Sequence, residues 1–262
     1  MENNGKSTWR TLKTVETATE IVEMLSVLDG AGVTELASRL DRSKSSVHAQ
    51  LATLRAAGYL VKDGSEYRLS YQFLLIGEYV RNNSPLYQFG RAKANHLAAE
   101  TGHYAHLFTE EKGLGINIYE ARGEYAEDYD YQSLKLQRRE PLHITASGKA
   151  VLAELPEERV KEIVDTHGLE RYTTNTITDE RALFEELATI RERGYAVNDE
   201  EEVEGFRAIA APVCSGDDVL GSVSVSGPTT TFTDAVVEQE VPERVLNVAD
   251  RIKVDYNMST QS

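Results

Sequence analysis

Apolar positions recur at helical spacing near the start of the chain. Over residues 12–28, Val15, Ala18, Val22 and Leu25 form a stripe that Ile21 and Leu28 widen. Asp29-Gly30 supplies a stop. Thr34 is placed to cap a second, short helix, Glu35–Leu40, with Leu36 and Leu40 on one face. A polar turn, Asp41–Ser43, follows. Ser43 is placed to cap a third helix from Lys44 to Ala57, whose apolar face is Val47, Leu51 and Leu54 and which Gly58 ends. Tyr59–Lys62 and Tyr67–Leu69 read as short strands, joined by the hairpin chemistry of Asp63-Gly64-Ser65. Helix, helix, tight turn, helix and hairpin predict a winged helix-turn-helix over residues 10–70, with the hairpin as the wing.

Residues 71–84 read as a linker ending in Asn82-Asn83-Ser84-Pro85. An amphipathic helix, Leu86–Glu100, is closed by Thr101-Gly102. The pattern then alternates. Strands are predicted at Tyr104–Phe108, Leu114–Glu120, Phe206–Val213 and Val219–Ser226. Helices are predicted at Ser147–Leu155, at Glu157–Thr166 opening from Pro156, at Asp179–Arg193 with Thr178 as cap, and at Pro242–Ile252. The tyrosine-rich, acidic segment Glu124–Tyr131 reads as a solvated loop. Antiparallel strands with helices outside them predict an α+β domain over residues 85–256.

The length, 262 residues, fits about two domains. The net charge of -15 is unevenly placed: residues 1–70 carry nine basic and nine acidic side chains, so residues 71–262 hold all of it. With 18 Arg against ten Lys, the surface is what molar salt would favour, where the Debye length is about 3 Å and self-repulsion is screened. The single cysteine, Cys214, excludes an internal disulfide. No apolar run approaches the roughly 18 residues that cross a bilayer, and MENNGKSTWR has no signal-like stretch, so a cytoplasmic protein without a membrane partner is expected.

An acidic chain is a poor general partner for DNA, but from Arg42 to Lys62 it has no Asp or Glu. Proximity to phosphates is the simplest reason for such a gap; a chance gap beside a core helix is the other. The solvent face of the third helix offers Lys44, Ser45, Ser46, His48, Ala49 and Thr53, short or hydrogen-bonding groups that suit a groove floor. Thr34 and Arg42 flank that face, and Lys62 and Arg68 on the wing suit phosphates.

Three segments resemble the IclR family of transcription regulators. They are GVTELASRLDRSKSSVHAQLATLRAAGYLVKDGSEYRLS, then PLHITASGKAVLAELPEE with YTTNTITD, then RERGYAVNDEEEVEGFRAIAAPV with VSVSGP. In order and at family spacing they span most of residues 10–230; residues 109–135 and the C-terminal tail match poorly. The resemblance implies an operator-reading winged helix, a linker helix and a GAF-like effector domain that binds a small metabolite. It also implies a homodimer or homotetramer. Two positions depart from the family pattern. Ala49 stands where an arginine is common, so the operator should differ, since a methyl cannot hydrogen-bond guanine. Asn198 stands where an Asp is common, adding a donor and no negative charge.

The same resemblance assigns the effector site. Ser222, Ser224 and Ser226 share one face of their strand, which suits either a ligand or a solvent edge. Ser224 and Ser226 fall where relatives contact their effector. Ala146 and Ser147 open a helix whose free amides favour a carboxylate. Phe206 and Ala208 align with pocket positions, and Asn198 completes the set. A small organic acid or sugar acid is the expected effector, with no cofactor.

Enzymatic readings find little support. His103-x-x-His106 on a strand would point to opposite faces, so a metal site is not expected. Ser147 and His143 lack a nucleophile-elbow sequence, and no phosphate-cradling or dinucleotide motif occurs, so a non-enzyme is expected. The rival reading is a metabolite-sensing domain whose winged helix meets protein rather than DNA.

Overall fold

The structure is a computed structural model in which residues 11–126 and 138–260 are described, residues 238 and 239 by their backbone only. The chain divides into two compact units, residues 1–80 and 81–262.

The first unit has helices α1 (Lys13–Leu28), α2 (Val33–Arg39) and α3 (Lys44–Ala56). Its strands are β1 (Ala31–Gly32), β2 (Leu60–Asp63) and β3 (Glu66–Leu69), in the order β1-β3-β2. Ile21, Leu25, Leu36, Val47, Leu51, Leu60 and Tyr67 form its core. The α1 stripe is rotated from the expected one: Thr17, Ile21 and Leu25 are buried, while Val15 is 56% exposed. Thr34 does not cap α2. Gly32 is the cap residue, and Thr34 lies inside the helix, because the short β1 pairing with β3 starts the helix two residues early. Ser43 caps α3 as expected, its hydroxyl accepting from the Ser46 N–H at 3.2 Å. The β2–β3 pair is the wing, turned at Gly64 with φ +57°. Residues 71–84 are mostly helical: α4 spans Gln72–Asn82 and buries none of its side chains.

The second unit begins with α5 (Pro85–Thr101) and is built on a six-stranded antiparallel sheet. The strands are β4 (Tyr104–Glu111), β5 (Leu114–Arg122), β6 (Arg139–Pro141), β7 (Ala196–Asp199), β8 (Phe206–Ser215) and β9 (Asp218–Pro228), in the order β6-β5-β4-β9-β8-β7. Helices α6 (Ala146–Glu154), α7 (Glu157–His167), α8 (Glu180–Arg193) and α9 (Val241–Thr260) complete it. Asp179, not Thr178, caps α8, accepting from the Ala182 N–H at 2.9 Å; the Thr178 hydroxyl instead accepts from Arg171.

Helices α5 and α9 cover one sheet face, where Val223 and Val225 meet Leu97, Val245 and Ile252. On the other face α6, α7 and α8 enclose a second core with Phe108, Val151, Leu187 and Ala210. Both faces are therefore covered, and the serine face of β9 is no solvent edge: Ser222, Ser224 and Ser226 are 0%, 2% and 4% exposed. Gly148 lets α6 start against the preceding turn, since a Cβ there would overlap the Leu142 backbone. Of the segment Glu124–Tyr131, residues from 127 onward lie outside the described residues.

Candidate functional sites: a helix face and an enclosed polar cavity

All ten residues expected at DNA are exposed: Thr34, Arg42, Lys44, Ser45, Ser46, His48, Ala49, Thr53, Lys62 and Arg68. Burial of Val47 and Leu51 fixes the helical phase of α3 and turns Lys44, Ser45, His48 and Ala49 outward. The Thr53 hydroxyl donates back to the Ala49 carbonyl at 2.9 Å. Two of the arginines are held by carboxylates. Arg42 meets Glu20 at 3.3 Å, and Arg68 meets Glu66 at 3.4 Å and Asp29 at 3.9 Å. Such exposed pairs are worth about 0.2–1 kcal/mol, less than a phosphate offers, so they orient the guanidinium groups without locking them. Lys62 sits over the Tyr67 ring, 5.3 Å from its centroid.

The second site is a cavity of about 280 Å³ on the α6 side of the sheet. Every strand contributes to its wall: Glu140 from β6, Asn117 from β5, His106 and Phe108 from β4, Ser224 and Ser226 from β9, Ala208 from β8, and Asn198 from β7. Thr145, Ala146 and Ser147 at the start of α6 close the top, with Glu202 from the loop after β7. Of the seven expected effector residues, six are brought together here. Phe206 is not. It lies on β8 two residues before Ala208, half-buried, outside the cavity wall, because its N–H turns back to the Val203 carbonyl.

Hydrogen bonds fix this wall. The Ser147 hydroxyl donates to Ser224 Oγ at 3.0 Å, and Ser222 Oγ donates to the Ser147 carbonyl at 3.1 Å, so Ser222 ties β9 to α6. His106 Nε2 meets Ser226 Oγ at 3.1 Å. Asn198 uses both ends of its amide: Nδ2 donates to the Ile144 carbonyl at 3.2 Å, and Oδ1 accepts from the Glu201 N–H at 2.8 Å. That second bond shapes the acidic loop at Glu200–Glu202. Arg138 joins Glu140 at 3.1 Å to Glu202 at 3.3 Å. Behind the loop, Lys149 of α6 is 1% exposed and pairs with Glu201 at 2.5 Å. Burial pushes the Glu201 carboxyl above its ordinary value, and the Lys149 ammonium opposes that rise.

His103 and His106 do not converge. His103 packs edge-on against Phe232 at 4.9 Å, whereas His106 faces the cavity. Burial holds His103 below the ordinary imidazole range. Ser147 and His143 also go to different partners, His143 Nε2 donating to the Glu170 carbonyl at 3.0 Å. Burial pushes His143 down as well, more than that bond raises it. Sequence reasoning missed His106, Phe108, Asn117, Glu140, Thr145 and Glu202 as wall residues, since they meet only through the sheet order.

Two family descriptions match the chain: "IclR helix-turn-helix domain" over residues 14–64 and "Bacterial transcriptional regulator IclR C-terminal" over residues 82–254. The chain is 38% identical over 254 residues to the "Probable HTH-type transcriptional regulator ArcR" of Halobacterium salinarum, covering 96% of both chains. Among solved structures, the Thermotoga maritima IclR matches with a TM-score of 0.74 at 28% identity, over 93% of this chain and 97% of that one. An IclR homolog from Microbacterium hydrocarbonoxydans, complexed with 4-hydroxybenzoate, shares the fold with a TM-score of 0.78 at 19% identity, over 94% and 99%. With both halves matched in order, the chain belongs to the IclR family: it is a DNA-binding transcription regulator with a C-terminal ligand-binding domain, and not an enzyme.

Proposed function

We propose that this regulator reads its operator with the exposed face of α3 and changes its grip when a small organic acid or sugar acid fills the cavity under α6. The observation that carries the reading is the cavity wall: short hydroxyls, an amide and helix-start amides meet at one place that no water-filled edge explains. Helix-start N–H groups and the α6 dipole favour a carboxylate. The residues assigned to the effector are Ala146, Ser147, Asn198, Ala208, Ser224 and Ser226. Those assigned to DNA are the ten exposed residues named above. The relative crystallised with 4-hydroxybenzoate is consistent with an acid in a domain of this fold.

A homodimer, or a tetramer built from it, supports the reading. One winged helix buries too little for useful specificity, and two half-sites about one or more helical turns apart supply the rest. The first unit also leaves apolar surface uncovered: Tyr71, Leu74, Leu75, Tyr79 and Val80 are each at least 59% exposed. A patch of that kind marks a contact between chains. The acidic, lysine-poor composition favours a saline cytoplasm, and the curled sheet under its helices favours the GAF-like description. Among the described residues, no helix is long and apolar enough to cross a membrane.

The test is a gel shift with the DNA upstream of the protein's own gene, over a salt series, with and without a panel of small acids. Affinity falls steeply with salt, and at least one acid changes it at fixed salt. Tight calorimetric binding of apolar or cationic compounds alone would overturn the effector assignment.

A further inference from the structure

The sheet sorts the cavity wall by chemistry. On the β9–β7 side, Ser224 and Asn198 lie against the start of α6, where the Ser147 hydroxyl already bonds to Ser224. On the β4–β6 side stand His106, Asn117 and Glu140. Glu140 is 2% exposed, and with Glu202 it places two carboxylates in the wall around the single Arg138 guanidinium. An anionic group set against that end meets like charge. A hydroxyl set there donates to a charged acceptor, the stronger class of hydrogen bond. Asn117 adds an independent sign. It lines the cavity, is 7% exposed, and among the described residues no hydrogen bond engages its side-chain amide. Buried amides are almost always partnered, so a group from outside the chain is the natural occupant.

We propose that Asn117 and Glu140 form a hydroxyl-reading subsite, so that the effector is a polyhydroxylated acid held by its carboxylate at α6 and by hydroxyls at the β5–β6 end. This rests on the acid-binding reading of the α6 end and adds the opposite end. Two strand spacings separate β9 from β5, roughly 10 Å on a flat sheet and less on a curled one, which suits a chain of about five or six carbons. The cavity, at about 280 Å³, is below the span of roughly 300–1,000 Å³ typical of drug-sized ligands. Asn117 offers both a donor and an acceptor, and it therefore accommodates a hydroxyl in either sense.

Calorimetry on the full chain tests this with six-carbon aldonates (gluconate, galactonate, mannonate), the unsubstituted acid hexanoate and the uncharged polyol glucitol. At least one aldonate binds tenfold or more tighter than hexanoate and glucitol. Asn117→Ala and Glu140→Gln each weaken that aldonate about 10- to 100-fold, the range for a lost charge-assisted or buried hydrogen bond, and change hexanoate less than twofold. Thermal melts of the free variants show whether each folds, and the two substitutions report on the subsite separately. Hexanoate binding as well as every aldonate overturns the subsite and leaves the acid reading intact; so does an aldonate indifferent to both substitutions. Glucitol binding without any aldonate overturns the acid reading itself. Absence of measurable aldonate binding overturns the proposal.

Discussion

Asn198→Asp isolates one hydrogen bond at the centre of the effector domain. The change swaps an NH₂ for an oxygen at a position 4% exposed. The bond from the Glu201 N–H survives, because either residue accepts it. The bond to the Ile144 carbonyl, 3.2 Å long, does not: a carboxylate has nothing to donate there, and two oxygens face each other. Leaving a buried acceptor bare costs about 1–3 kcal/mol. Glu140 and Glu202 in the same wall add repulsion, so the total is about 2–3 kcal/mol at pH 7.5. In a domain of this size that lowers the melting temperature by about 4–12 °C. The pH dependence has a definite sign. The buried aspartate takes up a proton more readily folded than unfolded, and its protonated form donates to Ile144 again. The penalty therefore shrinks as pH falls through the raised folded value and is largest above it. Differential scanning fluorimetry from pH 5 to 8, against wild type, reads this. A variant that melts with wild type at pH 7.5, or a gap that widens toward pH 5, would refute the role given to the Ile144 bond.

Three further outcomes follow from other parts of the molecule. Lys44→Ala weakens operator binding evenly across sequences and reduces the slope of log K against log salt by about one, as measured by fluorescence anisotropy. Burial holds His103 and His143 below the ordinary imidazole range, so the unfolded chain takes up protons first; their contribution is full above about pH 6.5 and is lost as pH falls below it. Glu201, pushed up by burial, acts in the opposite sense, its contribution falling as pH rises from the ordinary carboxyl range. The melting temperature thus drops from pH 7 to 5.5 by less in His103→Phe, which keeps the edge packing on Phe232, than in wild type. Cys214, whose thiol burial pushes up to about 11, reacts with a disulfide reagent at pH 8 roughly 100-fold more slowly in the folded chain than after denaturation.

How much was legible in the residues depends on how local the signal was. The winged helix was legible because Val47, Leu51 and the Ser43 cap are all within one helix, and Asp63-Gly64-Ser65 names its own turn. The phase of α1 was not, because both Val15 and Ile21 are apolar and only packing decides which is buried. Helix α4 gave no one-faced stripe: Phe73, Leu74, Leu75, Ile76, Tyr79 and Val80 run around it, and it buries none of them. Strands β6 and β7, three and four residues long, are too short to alternate, so Glu140 had no element to belong to and Asn198 read as a loop residue. Ser224 was found from strand alternation together with family resemblance. His106 and Asn117 were missed because their nearness to it comes from strand order, with β9 paired beside β4 across more than 100 residues.

The claim on which the regulator's specificity rests is that Ala49, on the outward face of α3, points at a base edge in the major groove. Selection from a pool of randomised duplexes, run in parallel on wild type and Ala49→Arg, tests it most directly. The account predicts two motifs with the same half-site spacing that differ at one position per half-site, where the arginine variant gains a preference for guanine. Identical motifs from the two proteins, or a change spread over the whole site, would contradict it.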